Sequence, residues 1–259
     1  MESQAVQKQV GVLDGIISYA EGGLRANSVP VLFLHGWGIS AKPYQEVLNL
    51  LMQQNWVIAP DLPSFARSSF PVSLSQYDDY ARILLDFLKE LRLEKVSLVG
   101  HSLGGGISIA LATIAPEKVQ SLILVDSTGI PIGSVPEVLF RRAIEMPLQI
   151  SLPKLNLQLV EIPQAFLPNI IFNFQNVVQG LLLSLEGDLR SRLPQIQAPC
   201  LLLWSRKDMT TPLSVAEEFA RLIPNAKLTI VEEGYHEWNL LYPAEFVAIV
   251  DDFLRSAGA

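Results

Sequence analysis

The sequence predicts an α/β fold, a mostly parallel sheet with helices packed on its faces. Short continuous apolar runs alternate with longer amphipathic stretches, the pattern of strands buried on both faces and joined by crossover helices. Hydrophobic residues make up 49% of the chain and charged residues 17%, enough for a sizeable core and too apolar for disorder. At 259 residues the chain fits one large α/β domain with an elaboration, or at most two small domains.

From the N-terminus, Val10 to Ala20 reads as a hairpin turning at Asp14-Gly15. Val31 to Leu34, Trp56 to Ala59, Val96 to Val99, Leu122 to Val125, Leu201 to Leu203 and Leu228 to Val231 read as buried strands. Tyr77, Tyr80, Ala81, Leu84, Leu88 and Leu91 recur at helical spacing, with Ser75 and Asp78 as the capping pattern. Thr211-Pro212 opens another helix, and Phe246, Ile249, Val250 and Phe253 share one face of a C-terminal one. From Gly129 to Gln195 no strand is evident, and Pro131, Pro136, Pro147, Pro153, Pro163 and Pro168 divide helical pieces. The chain is therefore expected to comprise a core over 1–128, a helical insertion over 129–195 and a second core part over 196–259. An insertion between two strands of one sheet lies at the sheet's rim and is placed to roof a binding site.

The net charge of −7 argues against nucleic acid as a partner, which would require clustered Lys and Arg. The one cysteine, Cys200, sits in an apolar run and reads as a buried structural thiol. The first ten residues are polar, without the apolar stretch of a secretion signal. The longest apolar stretch, Ala165 to Leu185, is interrupted by Pro168, Asn169, Asn173, Gln175, Asn176 and Gln179. A soluble, cytoplasmic protein without stable membrane insertion is the expectation, as a monomer or homodimer.

Gly100-His101-Ser102-Leu103-Gly104 fits G-x-S-x-G. The pattern occurs by chance about once in ten chains of this length, so its context decides its meaning. It directly follows a strand and opens a helix, the setting in which a tight turn exposes a serine hydroxyl above a sheet. The backbone N–H of Leu103 lies at that helix's N-terminus, where an oxyanion is stabilised.

A serine hydroxyl needs a base to become a nucleophile. Of three histidines, His101 adjoins Ser102 in a tight turn and should point away from its hydroxyl. His35 ends a strand and suits shaping the loop His35-Gly36-Trp37-Gly38. His236, beyond the last strand, emerges at the same carboxyl edge as the serine and is the candidate base. The acid that orients it is Asp208, just after the strand Leu201 to Trp204, with Asp126 competing from the same edge. Asp61 precedes the serine and reads as organising its own loop. The second oxyanion donor is the backbone N–H of Trp37, with Gly36 permitting the turn. Trp37 and His101 are candidate substrate contacts. The histidines lack H-x-x-x-H spacing, there is one cysteine, and no nucleotide motif occurs, so neither a metal site nor a cofactor is expected.

These features together resemble the α/β-hydrolase superfamily over nearly the whole chain. Four motifs occur in order: Leu34-His35-Gly36-Trp37, Asp61-Leu62-Pro63 with Arg67-Ser68, the Ser102 pentad, and the late Asp208 and His236. The resemblance implies an eight-stranded sheet, a lid inserted after the sixth strand and cofactor-free hydrolysis of a small-molecule ester by a Ser-His-Asp triad. The His-Gly-Trp-Gly loop looks most like that of small carboxylesterases, including the pimeloyl-carrier-protein methyl ester esterases. Ring-cleavage C–C hydrolases, perhydrolases, acyl-transferring variants and receptor-like binding proteins share the same frame. Two departures stand out. Where the family often has glycines after Asp61, this chain reads Pro63-Ser64-Phe65-Ala66-Arg67, and beside His236 stands Glu237, which either shifts the pKa of His236 or faces solvent, the second being the expectation. The insertion is rich in apolar residues: Leu155, Leu157, Leu159, Val160, Phe166, Leu167, Ile170, Ile171, Phe172, Phe174 and Leu181 to Leu183. Most should pack onto the core, with the surplus lining a tunnel for an apolar acyl group.

Overall fold

The structure, a computed structural model, describes residues 5–25, 29–150 and 157–258. Its strands are β1 (Val6–Val12), β2 (Gly15–Gly23), β3 (Val31–Leu34), β4 (Trp56–Pro60), β5 (Val96–His101), β6 (Val119–Val125), β7 (Cys200–Ser205) and β8 (Ala226–Val231). They form one sheet in the order β1-β2-β4-β3-β5-β6-β7-β8. β1 and β2 pair antiparallel, β2 joins β4 antiparallel, and all pairs from β4 to β8 are parallel. The helices are α1 (Gln45–Leu51), α2 (Tyr77–Glu90), α3 (Leu103–Ile114), α4 (Val135–Ile150), α5 (Leu157–Phe172), α6 (Phe174–Glu186), α7 (Leu213–Leu222), α8 (Trp238–Leu241) and α9 (Pro243–Ala257).

Because strand side chains alternate, each central strand feeds two cores. Leu32, Leu34, Leu98, Leu122, Leu124, Leu202 and Trp204 pack under α2, α3 and α7. Val31, Phe33, Val99, Ile123, Val125, Leu201 and Leu203 pack under α1, α8 and α9. This is why those runs are almost wholly apolar: neither face meets water, and the one polar residue among them, Ser97, is bonded to the likewise buried Ser121. Cys200 is buried, and burial pushes its thiol well up, as expected of an inert structural residue.

Several local expectations shift. The hairpin turns at Leu13-Asp14, with Leu13 at φ +51 and Val12 paired to Gly15. The cap of α2 is Gln76 with Asp79, one residue beyond Ser75 and Asp78; Asp78 instead binds Arg192 of the opposite segment at 2.6 and 2.9 Å. β5 runs through His101, so the serine follows the strand's last residue directly. Between β6 and β7 the chain forms α4, α5 and α6. The prolines do not divide these helices as expected. Pro136 sits in the first turn of α4, Pro147 lies within α4, and Pro163 and Pro168 lie within α5. The last three are exposed, which lets water replace the hydrogen bond that each ring removes. Pro153 and Leu155 lie outside the described residues.

The glycines after Ser102 are there for contact. A Cβ on Gly104 would overlap the carbonyl oxygens of Leu34 and His35, and one on Gly100 would overlap the Gly104 carbonyl. Gly104→Ala is expected to cost about 1–3 kcal/mol by forcing α3 off the sheet. Denaturant unfolding of the variant measures this; a midpoint unchanged from the wild type would contradict the packing argument.

Candidate active site

Ser102 occupies the junction of β5 and α3 at φ +53, ψ −119, a conformation that costs a non-glycine residue energy unless its surroundings fix it. They do so on both sides. Its N–H donates to the Val125 carbonyl at 3.0 Å. Its carbonyl accepts the N–H groups of Gly105 at 2.9 Å and Thr128 at 3.1 Å, and the Thr128 hydroxyl at 3.2 Å. The serine side chain is thereby presented above the carboxyl edge of the sheet. Leu103 N–H, the first of α3, and Trp37 N–H make no hydrogen bond to other described residues.

The loops after β7 and β8 come to that edge beside it. His236 Nε2 lies 3.0 Å from Ser102 Oγ, and His236 Nδ1 lies 2.8 Å from Asp208 Oδ2. With Nδ1–H donating to the carboxylate, Nε2 is left free to accept from the serine hydroxyl. Asp208 Oδ1 takes the N–H groups of Thr210 and Thr211, each at 2.7 Å, and Oδ2 takes the Thr211 hydroxyl at 2.6 Å. Burial alone would raise the Asp208 pKa. The charge and hydrogen bond of His236 and the bonds from Thr211 outweigh it and hold the carboxyl below its ordinary value. For His236 burial acts downward, while Asp208 and then Glu237 act upward and prevail, so its pKa stands above 6.5.

Asp126, the rival acid, is engaged otherwise. Its Oδ1 accepts Ser205 N–H at 2.9 Å and its Oδ2 the Trp238 indole N–H at 2.7 Å. Burial, with the neighbouring charge of Asp208, pushes its pKa up. Asp126 thus ties the end of β7 to α8, and Asp208 alone of the two is bonded to the histidine.

The other two histidines take scaffold positions. His101 Nδ1 accepts the Tyr44 hydroxyl at 2.7 Å and Nε2–H donates to the His236 carbonyl at 3.0 Å. Burial and the nearby His236 push its pKa down to about 3, so it stays neutral. His101 borders the cavity, but both its ring nitrogens are already engaged. Tyr44 in turn receives Gly36 N–H at 3.2 Å. The chain Gly36–Tyr44–His101–His236 therefore links the loop of Trp37 to the loop of His236. His35 Nε2 accepts Leu62 N–H at 2.8 Å, and its Nδ1–H donates to the Gly36 carbonyl at 2.8 Å. Asp61 receives Ala41 N–H at 3.0 Å and Arg67 Nε at 2.8 Å, and so organises its own loop. In that loop Ser64 (φ +65) and Ala66 (φ +51) keep the left-handed backbone that glycines would make easy. After β3 the left-handed glycine is Gly38 (φ +75), not Gly36; Gly36 is needed instead for its close approach to His101 and Tyr44.

A cavity of about 320 Å³ opens over Ser102 and His236. Trp37, Ile39, Ile132, Val138, Met146, Ile162, Phe166, Leu181 and Leu185 supply most of its wall. Trp37 is held by its indole N–H on the Val177 carbonyl at 2.7 Å and by edge contact with Phe166. The apolar residues of the insertion divide accordingly. Phe166 and Leu181 line the cavity, Ile170 packs on the core and Leu183 is buried. Leu167, Ile171, Phe172 and Phe174 are exposed instead of packed, because α5 and α6 turn these positions away from the sheet. The side chains of Leu157, Leu159 and Val160 lie outside the description.

Glu237 corrects a second expectation. It does not face solvent; it is buried against Arg142 of α4, whose Nη2 lies at 2.6 Å, and against Gln149 Nε2 at 2.5 Å. Burial opposes its ionisation, but Arg142, His236 and Gln149 hold its pKa down to about 2. Sequence reasoning missed Tyr44, Thr211, Arg142 and Glu145 at this site. For the two helical residues a signal existed: Arg142 and Glu145 fall with Gln149 at i, i+3 and i+7, a polar stripe on an apolar helix. Tyr44 and Thr211 carry no such mark.

No helix among the described residues is long and apolar enough to cross a membrane. The chain matches the Alpha/beta hydrolase family over residues 31–249. It is 30% identical over 247 residues to a pimeloyl-[acyl-carrier protein] methyl ester esterase of Photobacterium profundum, covering 87% of this chain and 94% of that protein. It is 27% identical over 236 residues to the enzyme of the same name from Legionella pneumophila (strain Corby), covering 88% and 95%. Among solved structures, a membrane phospholipase A described as a bacterial virulence factor superposes with a TM-score of 0.83 at 27% identity, covering 98% of this chain and 86% of that one. The eight-stranded sheet with its serine turn and the match over most of the chain agree: this protein belongs to the alpha/beta hydrolase family.

Proposed function

We propose that this protein is a carboxylic ester hydrolase working through an acyl-enzyme on Ser102. The observation that carries the reading is the unbroken chain Ser102 Oγ, His236 Nε2, His236 Nδ1, Asp208 Oδ2, at 3.0 and 2.8 Å, on the wall of an apolar cavity. In this reading His236 takes the hydroxyl proton as Ser102 attacks the ester carbonyl, and Asp208 stabilises the imidazolium that forms. The backbone N–H groups of Leu103 and Trp37 receive the oxyanion. His236 then returns the proton to the departing alcohol, and water attacking the acyl-serine by the same route releases the acid. The insertion over 129–195 serves as a lid, and the apolar wall takes an uncharged acyl group. The names of the two esterase relatives support the choice of ester over other carbonyl compounds.

The acid–base assignment has consequences for pH. Ser102 needs His236 neutral, so kcat/KM should rise with pH along a limb whose midpoint lies above 6.5, because Asp208 and Glu237 favour the charged imidazolium. Glu237→Gln removes one of those charges and should move the limb to lower pH; a limb that stays in place would show that Glu237 has no electrostatic hold on the base.

A fluorophosphonate probe should label the wild type and not Ser102→Ala, and an unlabelled wild type refutes the reading. Asp208→Asn should lower kcat by about 10³–10⁴-fold, as loss of the orienting acid does elsewhere. Asp126→Asn should act mainly on stability; the reverse order of effects would transfer the acid's role to Asp126. Across p-nitrophenyl esters, each methylene that enters the cavity should raise kcat/KM by about fourfold, the worth of about 0.8 kcal/mol. Peak activity at acetate with sharp loss by octanoate excludes an acyl chain from the cavity.

A further inference from the structure

α4 turns a polar stripe towards the two loops that carry Asp208 and His236, and its centre is Glu145. The Glu145 side chain is fully buried, and its carboxylate accepts four hydrogen bonds. Oε1 takes the backbone N–H of Met209 at 2.9 Å and that of His236 at 3.2 Å. Oε2 takes the Thr210 hydroxyl at 2.6 Å and Arg142 Nη1 at 3.0 Å. Met209 follows Asp208 directly, and the Thr210 N–H is itself bonded to Asp208 Oδ1. One oxygen atom thus joins the loop after β7 to the loop after β8, at the very residues next to the acid and at the base. Arg142, which also binds Glu237 through both Nη atoms, offsets the cost of burying that charge.

We propose that Glu145 is a positioning residue: reaching from α4, its carboxylate fixes the spacing of the Asp208 and His236 loops that lets His236 bridge Asp208 and Ser102. The inference rests on the ester hydrolase reading for its kinetic consequences but not for its geometry. A carboxylate that merely docked α4 could bond anywhere on the core. Glu145 instead directs three of its four bonds to Met209, Thr210 and His236. Relaxing that tie would let the His236 ring drift from Ser102 while leaving the cavity wall in place. The rate of the chemical step would then fall more than the affinity for a small ester. The insertion and the acid–base pair are, on this account, one mechanical unit, since Asp208 and His236 are fully in register only while α4 is seated.

The test compares wild type, Glu145→Ala, Glu145→Gln and Glu145→Asp on p-nitrophenyl acetate, with melting temperature and the low-field proton resonance of His236 Nδ1–H followed in each. Glu145→Ala should lower kcat by about ten- to a hundredfold with KM changed less than about twofold, and should broaden or abolish the resonance. Glu145→Gln can still offer an oxygen to the two backbone N–H groups, so it should recover kcat to within about threefold of wild type. Glu145→Asp keeps the charge but falls one methylene short, and should lose kcat without a change in KM; it replaces the alanine variant if that fails to fold. The proposal is overturned if the alanine or aspartate variant keeps wild-type kcat and resonance, or if the glutamine variant falls as far as alanine. Should the wild type neither hydrolyse the ester nor react with fluorophosphonate, the ester hydrolase reading fails. The resonance alone then decides the inference, and its persistence in Glu145→Ala or Glu145→Asp overturns it.

Discussion

The site depends first on a backbone constraint, the left-handed turn at Ser102 between β5 and α3. A side-chain-bearing residue at φ +53 is held there only because both of its peptide groups are committed, the N–H to Val125 and the carbonyl to Gly105 and Thr128. Those partners stand on β6, on the loop beyond it and on α3, so the turn is anchored to two neighbouring elements. The close approach of α3 to β3 and β5 that makes this possible leaves no volume for a Cβ at Gly100, Gly104 or Gly105. Local strain at the serine is thus balanced by packing several residues away. The same close approach sets the first N–H groups of α3 over the carboxyl edge of the sheet.

A parallel sheet then does the rest of the gathering. β5, β6, β7 and β8 lie side by side in register, so the loops that leave them open along one edge. Each contributes one polar group: Ser102 after β5, Asp126 after β6, Asp208 after β7 and His236 after β8. Position alone does not separate the two aspartates. What separates them is which donors their oxygens accept. Asp126 has one N–H on each oxygen, from the main chain of Ser205 at the end of β7 and from the indole of Trp238 at the start of α8, and so braces these two elements. Asp208 concentrates three bonds from Thr210 and Thr211 and keeps a face for the imidazole. Asp126, placed at the same edge as Asp208, is thereby part of the frame around it.

This explains which parts of the site are legible in the sequence. The central strands are legible because burial on both faces keeps them largely apolar, with the buried Ser97 and Ser121 bonded to each other, and the serine turn because its glycines are demanded by contact. His35 and Asp61 can be placed as loop organisers from their positions at strand ends, which limit where their side chains reach. Asp208 against Asp126 stays unresolved there, because the choice rests on hydrogen-bond partners such as Thr211 and Trp238 that are distant or unremarkable in the chain. Glu237 departs from expectation for a related reason. An acidic residue beside a base is normally solvated, and only the arrival of Arg142 and Gln149 from α4, 95 and 88 residues away, offsets the cost of burying it. The exposed Phe172 and Phe174 depart in the opposite sense, since an apolar helix in sequence does not say which of its sides will find a partner.

The charges around His236 also bear on what the cavity can accept. Asp208 is bonded to the His236 ring, Glu145 to its main chain, and Glu237 follows it in the chain, while the Arg142 guanidinium binds both glutamates. The cluster therefore carries an excess of negative charge while the histidine is neutral, and part of that excess is cancelled when it becomes an imidazolium. In the proposed reaction this favours the protonated base that accompanies attack by Ser102, in surroundings fixed before the substrate arrives. The same excess works against an anionic group brought into the cavity, because the guanidinium that could receive it is already held by two carboxylates. Apolar side chains make up most of the remaining wall. Charge and burial thus point in one direction: in the proposed reaction, stabilisation of a transient cation on His236 and preference for an uncharged acyl group draw on the same arrangement.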